Sequence, residues 1–495
     1  MHDLKHWQSK IADRRKQSSF DDFLMEIVSW VPMNFYRNNG HISRYPASDR
    51  INVVWLKEFQ KNRDNNIDHA LEYNPELSFF QQFQKLMLDV PQASLVHFGN
   101  CNNSDFSDTV VDSSNCYMSS SVTIDVDTVL YSFWVRVHSK SVLNSVYIAV
   151  NNENIYFSRC VLSSFNIFYS AFLNNCNNIW FSSNLTGCSE CILSDNLLNQ
   201  KYCIKNKQYE KQEYFEKKAE ILKDKQRFSA YYSQTEKQGN NYNSTDVSGH
   251  FISDSENIEN GIFAYSTKNG KNLVFAWSPE GCENMYDYFA GWSMGTHDSY
   301  GVAISGGNSY VYCSLSIWFS NNIFYCYDLV TCSYCIGCVW LQNKQYCIFN
   351  KQYSKEDWYE LADKIFGTMD EQSVLGDFFP GEINPFYFND SVASLYKDFD
   401  KDEILEKWYM WRDEEIKVDI PEWVDVIKTN DLEKYQWYSP DGEWRINPEI
   451  LKKVIVDEKW DYYRIVKMEY DFLVKHWLPL PEIHWMDRMK LNFWA

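Results

Sequence analysis

The middle of the chain carries apolar side chains that recur at a fixed interval. One series keeps a step of 12 residues without interruption: Ile155, Ile167, Ile179, Cys191 and Cys203. A later series keeps the same step of 12: Val311, Ile323, Cys335 and Cys347. Serines and asparagines recur in phase with them. This interval does not fit an amphipathic helix, and the segments are rich in β-branched and aromatic residues, so the pattern predicts short strands.

Short strands at a constant interval predict a β-solenoid, in which equivalent residues of successive coils stack in files about 4.8 Å apart. The apolar series would form interior files, and asparagines would stack at the bends, where their amides bond one another. A coil of 12 residues traces about 40 Å, and a coil of about 24 residues made of two such units is the alternative. We expect the first interior file to continue backwards through Leu143 and Tyr131.

Two nearly identical stretches, KYCIKNKQY (201–209) and QYCIFNKQY (345–353), end the two series. Tyr202 and Tyr346 are 144 residues apart, and the same offset relates Cys203 to Cys347. We therefore predict two tandem solenoid blocks that end alike. A helix-like stretch follows each copy, and Ser354 is well placed to cap the second helix. Because a terminal coil leaves backbone groups unpaired, the repeated stretch and its helix are predicted to be a C-terminal cap.

The predicted fold class is mainly β with α caps: two tandem parallel β-solenoid blocks flanked by helical or α+β terminal domains. The predicted segments are an N-terminal helical cap domain (1–95), the first β-solenoid (96–209), a capping helix (210–235), a connector with the second β-solenoid (236–353), a second capping helix (354–370) and an acidic, aromatic-rich C-terminal domain (371–495).

Composition narrows the classes of function. The 495 residues carry a formal net charge of −20, which argues against sequence-independent binding of nucleic acid and against adsorption to anionic membranes. No apolar run is long enough to span a bilayer, and no apolar segment behind the N-terminus is typical of a signal peptide. We therefore expect cytoplasmic synthesis without membrane insertion, which is compatible with later incorporation into a virion or a surface assembly.

The 14 cysteines are confined to residues 101–347. Two clusters have the spacing of zinc knuckles, with these candidate ligands: Cys188 and Cys191 in the first block, and Cys332, Cys335 and Cys338 in the second. The period favours another interpretation, because Cys191 and Cys335 stand in files that also accept isoleucine, where cysteine acts as a small hydrophobe. We therefore expect structural cysteines and no metal or other cofactor.

Several segments resemble a family of uncharacterised proteins abundant in candidate-phyla-radiation bacteria, with relatives in some phage-like genomes. The resemblance covers most of the chain and includes FFQQFQKLMLDVP (79–91), both copies of the repeated stretch, FFPGEINPFYFNDSVA (378–393) and LPLPEIHWMDRMKL (478–491). In that family the stretches matching 33–56 and 470–494 look like zinc ribbons. This chain has no cysteine there, so the resemblance implies modules held by aromatic cores, and it implies no activity.

One pair of carboxylates qualifies as a candidate for catalysis. Many β-helix proteins act on polysaccharides, and Asp125 and Asp127, two apart on a predicted strand, are expected on one face. The sequence contains no phosphate-binding loop and no nucleophile or metalloprotease motif. We therefore expect a non-enzymatic structural protein, a rigid block of a virion or cell-surface type of assembly whose partners are other protein chains. The alternative is a carbohydrate-binding or polysaccharide-cleaving β-helix, with glycans as partners.

Overall fold

A computed structural model describes residues 2–38, 40–292, 294–413 and 420–493. Parts of the predicted terminal domains, at 1, 39, 414–419, 494 and 495, lie outside the described residues. The protein is mainly β, with two solenoid blocks along the chain and helices in its terminal segments, which confirms the predicted fold class. Within the described ranges, no helix has the length and apolar character needed to cross a membrane.

The helices are short and lie outside the solenoid coils. They are α1 (Leu4–Arg15), α2 (Phe20–Glu26), α3 (Leu56–Asn62), α4 (Phe79–Asp89), α5 (Lys211–Lys223), α6 (Phe228–Tyr232), α7 (Lys355–Glu371), α8 (Ala393–Tyr396), α9 (Lys401–Glu406), α10 (Lys467–His476) and α11 (Trp485–Lys490). Short 3-10 turns occupy Val28–Trp30, Arg63–His69, Lys225–Arg227, Phe388–Asp390, Thr429–Tyr435 and Pro448–Lys452.

Most strands belong to the two solenoid blocks. Before and within the first block they are β1 (Tyr36–Asn38), β2 (His41–Ser43), β3 (Val53–Val54), β4 (Gln92–Ala93), β5 (His97–Phe98), β6 (Phe106–Leu130), β7 (Phe133–Arg136), β8 (Lys140–Leu143), β9 (Val146–Ala149), β10 (Glu153–Tyr156), β11 (Arg159–Leu162), β12 (Phe165–Phe168), β13 (Ala171–Asn174), β14 (Asn177–Trp180), β15 (Ser183–Thr186), β16 (Ser189–Ile192), β17 (Asp195–Leu198), β18 (Lys201–Ile204) and β19 (Lys207–Gln208). The second block and the C-terminal segment contain β20 (Thr245–His250), β21 (Glu256–Trp292), β22 (His297–Ala303), β23 (Ser309–Trp318), β24 (Asn321–Phe324), β25 (Tyr327–Val330), β26 (Ser333–Ile336), β27 (Gln345–Ile348), β28 (Lys351–Gln352), β29 (Val426–Lys428), β30 (Gln436–Tyr438), β31 (Trp444–Ile446), β32 (Val454–Val456) and β33 (Tyr462–Tyr463).

The chain divides into two compact units, each built from two separate stretches of sequence. The first unit comprises Met1–Val96 and Asn240–Arg412, and the second comprises His97–Gly239 and Asp413–Ala495. The N-terminal segment therefore packs with the second solenoid. The segment that the sequence presents as one C-terminal domain, 371–495, is shared between the units.

One coil takes 12 residues and contains two short strands. In the first block β10, β12, β14, β16 and β18 stack in parallel register, which aligns Ile155, Ile167, Ile179, Cys191 and Cys203. The strands between them form a second parallel stack, in which Val161 pairs with Leu173 and Leu173 with Leu185. In the second block the register aligns Val311, Ile323, Cys335 and Cys347. Of the two coil lengths considered, the shorter one is present.

Some coils of the first block contain 13 residues. Val129 pairs with Val142, and Val142 pairs with Ile155. Leu143 pairs with Tyr156 instead. The predicted backward extension of the Ile155 file is therefore wrong by one position at Leu143 and by two at Tyr131, because the extra residue in each of these coils shifts the register.

Every third residue in the regular coils has a left-handed backbone. Between Asn154 and Lys205 the φ angles of these residues lie between 46° and 64°. The residue after each of them points into the coil, as the complete burial of Ile155, Ser158 and Val161 indicates. A coil therefore has four three-residue sides and four interior files.

The left-handed positions explain the recurring asparagines. This conformation costs most residues about 1–2 kcal/mol, and asparagine tolerates it better than bulkier residues. Stacking adds a second contribution, because Asn154 Nδ2 donates to Asn166 Oδ1 (2.9 Å) and Asn166 Nδ2 donates to Asn178 Oδ1 (2.8 Å). The asparagine files thus stabilise the bends within each coil and the stacking of one coil on the next.

The repeated stretch forms a β-hairpin that reverses the chain at the end of each solenoid. β19 runs antiparallel to β18, and β28 runs antiparallel to β27. The two residues of the second turn, Phe349 and Asn350, have φ angles of 46° and 64°, typical of a type I′ hairpin. Asn206 Oδ1 accepts the N–H of Asp195 (2.8 Å), and Asn350 Oδ1 accepts that of Val339 (2.9 Å). Helix α5 or α7 then follows, and Ser354 caps α7 as predicted.

Candidate functional site

The predicted zinc candidates lie inside the solenoids. All 14 cysteines are free thiols, and Cys188, Cys191, Cys332, Cys335 and Cys338 are buried. Cys191 pairs with Ile179 and Cys335 pairs with Ile323 on neighbouring coils. Burial raises the pKa of the Cys335 thiol well above its ordinary value. Cys191 and Cys335 therefore occupy positions that accommodate apolar side chains, and burial keeps the Cys335 thiol protonated.

Cys188, Cys332 and Cys338 belong to files that cysteine shares with serine. Ser314 Oγ donates to the carbonyl of Tyr312 (2.8 Å) and accepts the N–H of Cys326 (2.9 Å). One coil later, Cys326 Sγ accepts the N–H of Cys338 (3.3 Å), and Cys338 Sγ accepts that of Asn350 (3.4 Å). The thiols therefore take the place of serine hydroxyls in a ladder of hydrogen bonds between coils.

One carboxylate cluster has the compactness of a cation site. Among the described residues, a single group of three or more His, Cys, Asp or Glu side chains has all its ligand atoms within 4.8 Å of one another: Asp457, Asp461 and Asp487. Asp457 accepts the N–H groups of Lys459 (2.9 Å), Asp461 (3.0 Å) and His484 (3.1 Å), and Asp487 pairs with Lys459 Nζ (2.8 Å). The carboxylates of Asp457 and Asp487 are therefore engaged by protein groups, and Asp457 stabilises the turn from 457 to 461.

The candidate pair Asp125 and Asp127 has separate partners. Asp125 Oδ2 bonds His138 Nδ1 (2.9 Å), whereas Asp127 Oδ1 accepts from Asn115 Nδ2 (2.6 Å). Asp125 has a φ of 52°, so the two-residue alternation on which the expectation of a shared face depended does not hold at this position. Each carboxylate therefore forms a hydrogen bond with a residue of a neighbouring coil.

A groove in the second unit is the strongest candidate for a ligand site. We call it the lysine groove; it has a volume of about 800 Å³ and is formed by β14, α5, the turn after α5, the loop after β30 and the end of α10. Its aromatic lining residues are Trp180, Phe215, Tyr438 and Trp477, and its cationic ones are Lys218, Lys223, Lys225 and Lys475. Phe215 is 41% exposed and Trp477 45%, so the groove offers accessible rings beside ammonium groups.

The electrostatics of the lysine groove are unusual for an acidic chain. Lys218 Nζ pairs with Glu190 Oε2 (2.6 Å). No Asp or Glu is among the described residues that line the groove. Lys225 Nζ lies 4.9 Å from the ring centre of Phe228 and 5.4 Å from that of Trp444, and burial lowers its pKa to about 7. Lys225 therefore has π-faces around its amine where a carboxylate would be the usual partner.

His476 adds a neutral polar group to the same lining. The centre of its ring lies 4.4 Å from the ring centre of Phe472 and 5.3 Å from that of Phe168. Burial, assisted by Lys475, lowers the pKa of His476 to about 4, so the imidazole is neutral at pH 7. Its Nε2 is buried without a hydrogen-bond partner among the described residues, which leaves one polar atom of the lining unsatisfied.

Sequence reasoning missed the lysine groove because its walls come from segments far apart in the chain. The one available signal was the lysine-rich stretch KKAEILKDK (217–225) in an otherwise acidic protein. Comparison of the chain with protein-family models, curated proteins and solved structures finds no match. The functional interpretation therefore depends on the geometry of the residues themselves.

Proposed function

We propose that the protein is a non-enzymatic structural and interaction protein, a rigid solenoid block that docks other protein chains in a virion or cell-surface type of assembly. The observation that carries this proposal is a set of exposed tryptophans with left-handed backbone: Trp408 (69% exposed, φ 65°), Trp460 (70%, φ 69°) and Trp477 (45%, φ 56°). Each stands outside the solenoid coils.

These tryptophans contribute little to the stability of the fold. A left-handed backbone is sterically costly for a bulky side chain, and the position after a helix, where Trp477 lies, favours glycine. The rings of Trp408 and Trp460, at 69% and 70% exposed, also contribute little buried area to the folded state. Tryptophan is the residue that most often carries binding energy in protein interfaces, so we infer that these rings contact a partner.

The ends of the solenoids support docking through side chains. Each block closes at its C-terminal end with an antiparallel hairpin followed by a helix. The hairpin strand covers the parallel edge of one of the two stacks, at β18 or β27, so a further coil cannot pair across the whole end. The surfaces left for a partner are then the lateral faces and the terminal segments, where the exposed tryptophans lie.

A triple glycine variant at Trp408, Trp460 and Trp477 is expected to keep the fold and lose the partner. Glycine relieves the backbone cost of about 1 kcal/mol at each site, so the thermal midpoint should stay equal or rise. Loss of even one hot spot of about 2 kcal/mol should weaken partner binding about thirtyfold. The measurement is cross-linking mass spectrometry of the complex purified from source cells, with the triple phenylalanine variant as an aromatic control. A lower midpoint, or an unchanged set of cross-links, would refute the proposal.

Carbohydrate binding is the second candidate, and the lysine groove favours it. Exposed aromatic rings provide flat apolar faces with little rotational freedom, which suits contact with a sugar ring. Polysaccharide cleavage would require two carboxylates about 5–9 Å apart, and the described lining residues include neither Asp nor Glu. The groove therefore supports binding without cleavage.

A further inference from the structure

We propose that the lysine groove binds an acidic oligosaccharide, and that the amine of Lys225 takes up a proton as the anionic group enters. The proposal rests on the second candidate function and specifies its ligand. The groove, at about 800 Å³, has room for several sugar rings.

Uncompensated positive charge selects an anion. The chain has a formal net charge of −20, so carboxylates are abundant, yet among the described residues Lys223, Lys225 and Lys475 have no ion-pair partner. All three line the same groove as Trp477 and Phe215. A ligand that carries negative charge and presents apolar ring faces satisfies both features of this lining.

The net charge also restricts the kind of anion. A nucleic acid would bring a continuous row of phosphates against an acidic protein, and this long-range repulsion opposes its binding. An oligosaccharide with carboxylates on alternate or successive rings brings fewer charges per unit length, and its rings stack on exposed aromatic side chains.

Lys225 couples binding to pH. Its amine is surrounded by Phe228 and Trp444. The titratable and charged groups that line the groove beside it are Lys218 and Lys223 of α5, Tyr438, Lys475 and His476. Asp224 precedes Lys225 in the chain, Glu443 and Arg445 flank Trp444, and α5 also carries Glu213, Glu216, Lys217 and Glu220. Because the pKa of Lys225 is about 7, roughly half of the molecules carry a neutral amine at neutral pH.

The direction of the pH effect follows from this pKa. An entering anion favours the ammonium form and raises the pKa of Lys225, so binding at pH 7 takes up about half a proton. Affinity is fully present well below pH 7, where Lys225 is already charged in the free protein. It falls as pH rises above 7, by up to about tenfold per pH unit until the raised pKa of the complex is reached.

Isothermal titration calorimetry of the full-length protein tests the proposal. Hexagalacturonate is the acidic probe, maltohexaose the neutral control and hexaglutamate the acidic peptide control, each at pH 7 in two buffers of different ionisation enthalpy. We expect hexagalacturonate to bind at least tenfold more tightly than either control, with uptake of about half a proton. Lys225→Met should abolish the proton uptake, and Lys223→Gln should weaken binding severalfold while leaving the uptake unchanged.

The outcomes separate the two levels of the proposal. Equal binding of the acidic and neutral hexasaccharides would overturn the acidic specificity and leave carbohydrate binding in place. Failure of both sugars to bind would overturn both. Equal or tighter binding of hexaglutamate would show a peptide site, and acidic binding without proton uptake would overturn the role of Lys225. Unchanged thermal midpoints of Lys225→Met and Lys223→Gln establish that the variants are folded.

Discussion

Replacing Asp287 by alanine is expected to cost the first unit about 3–5 kcal/mol of unfolding free energy. Asp287 is fully buried and accepts from Arg15 Nε (3.0 Å) and Nη2 (2.7 Å), from Ser18 Oγ (2.6 Å) and from Asn272 Nδ2 (2.7 Å). Its removal leaves the buried guanidinium of Arg15 with Glu26 (2.7 Å) as its remaining ionic partner.

Helix α1, which carries Arg15, also carries Lys10, and the exposed ion pair of Lys10 supplies the matched control. Lys10 of α1 pairs with Asp370 of α7, and both side chains are substantially exposed. Lys10→Ala should therefore cost no more than about 1 kcal/mol. Urea unfolding of both variants, followed by tryptophan fluorescence, measures the difference. If Asp287→Ala and Lys10→Ala cost the same unfolding free energy, the ion pair between Arg15 and Asp287 is not the contact that holds α1 against the second solenoid.

The second large effect is expected at the hairpin cap of the second solenoid. Asn350 is fully buried; its Oδ1 accepts the N–H of Val339, and its Nδ2 donates to the carbonyls of Asn66 (3.0 Å) and Val339 (2.9 Å). Asn350→Ala leaves these buried groups unsatisfied, at about 1–3 kcal/mol, and places alanine in a left-handed conformation at about 1 kcal/mol more. The expected total is about 2–4 kcal/mol.

The equivalent residue of the first solenoid tests this interpretation. Asn206 occupies the same place in its hairpin and accepts the N–H of Asp195, but it is exposed to solvent. Water replaces its hydrogen bond, so Asn206→Ala should cost only about 1 kcal/mol. Denaturant unfolding of the two alanine variants gives the comparison. A larger loss for Asn206→Ala would show that burial does not set the energetics of the cap.

The sequence predicts the solenoids because a repeat places equivalent residues at a constant interval. A second period, of three residues, is also present in the sequence: Ile155, Ser158 and Val161 follow one another at intervals of three, and all of them point inward. We missed this period because serine does not look like an interior residue. It is accommodated there because its hydroxyl donates to a nearby carbonyl, as Ser158 Oγ does to that of Tyr156 (2.9 Å).

Other features depend on contacts between distant segments, which one sequence does not specify. The sequence did not specify what α4 packs against: the ring centre of Phe79 lies 5.1 Å from those of both Tyr325 and Phe349 in the second block. The lysine groove is of the same kind, since Phe215 and Trp477 line it together although they are far apart in the chain. The left-handed backbone of Trp477 likewise follows from the tertiary structure.

The central claim is that the repeats and their cysteines are architecture and that function lies at the surface. Thiol titration with metal analysis tests it most directly. Cys101 is half-buried, and the remaining cysteines are buried as free thiols. The account predicts that about one thiol reacts in the native protein, that all 14 react after denaturation, and that no stoichiometric zinc is released. Several rapidly reacting native thiols, or one zinc ion released for each block, would contradict it.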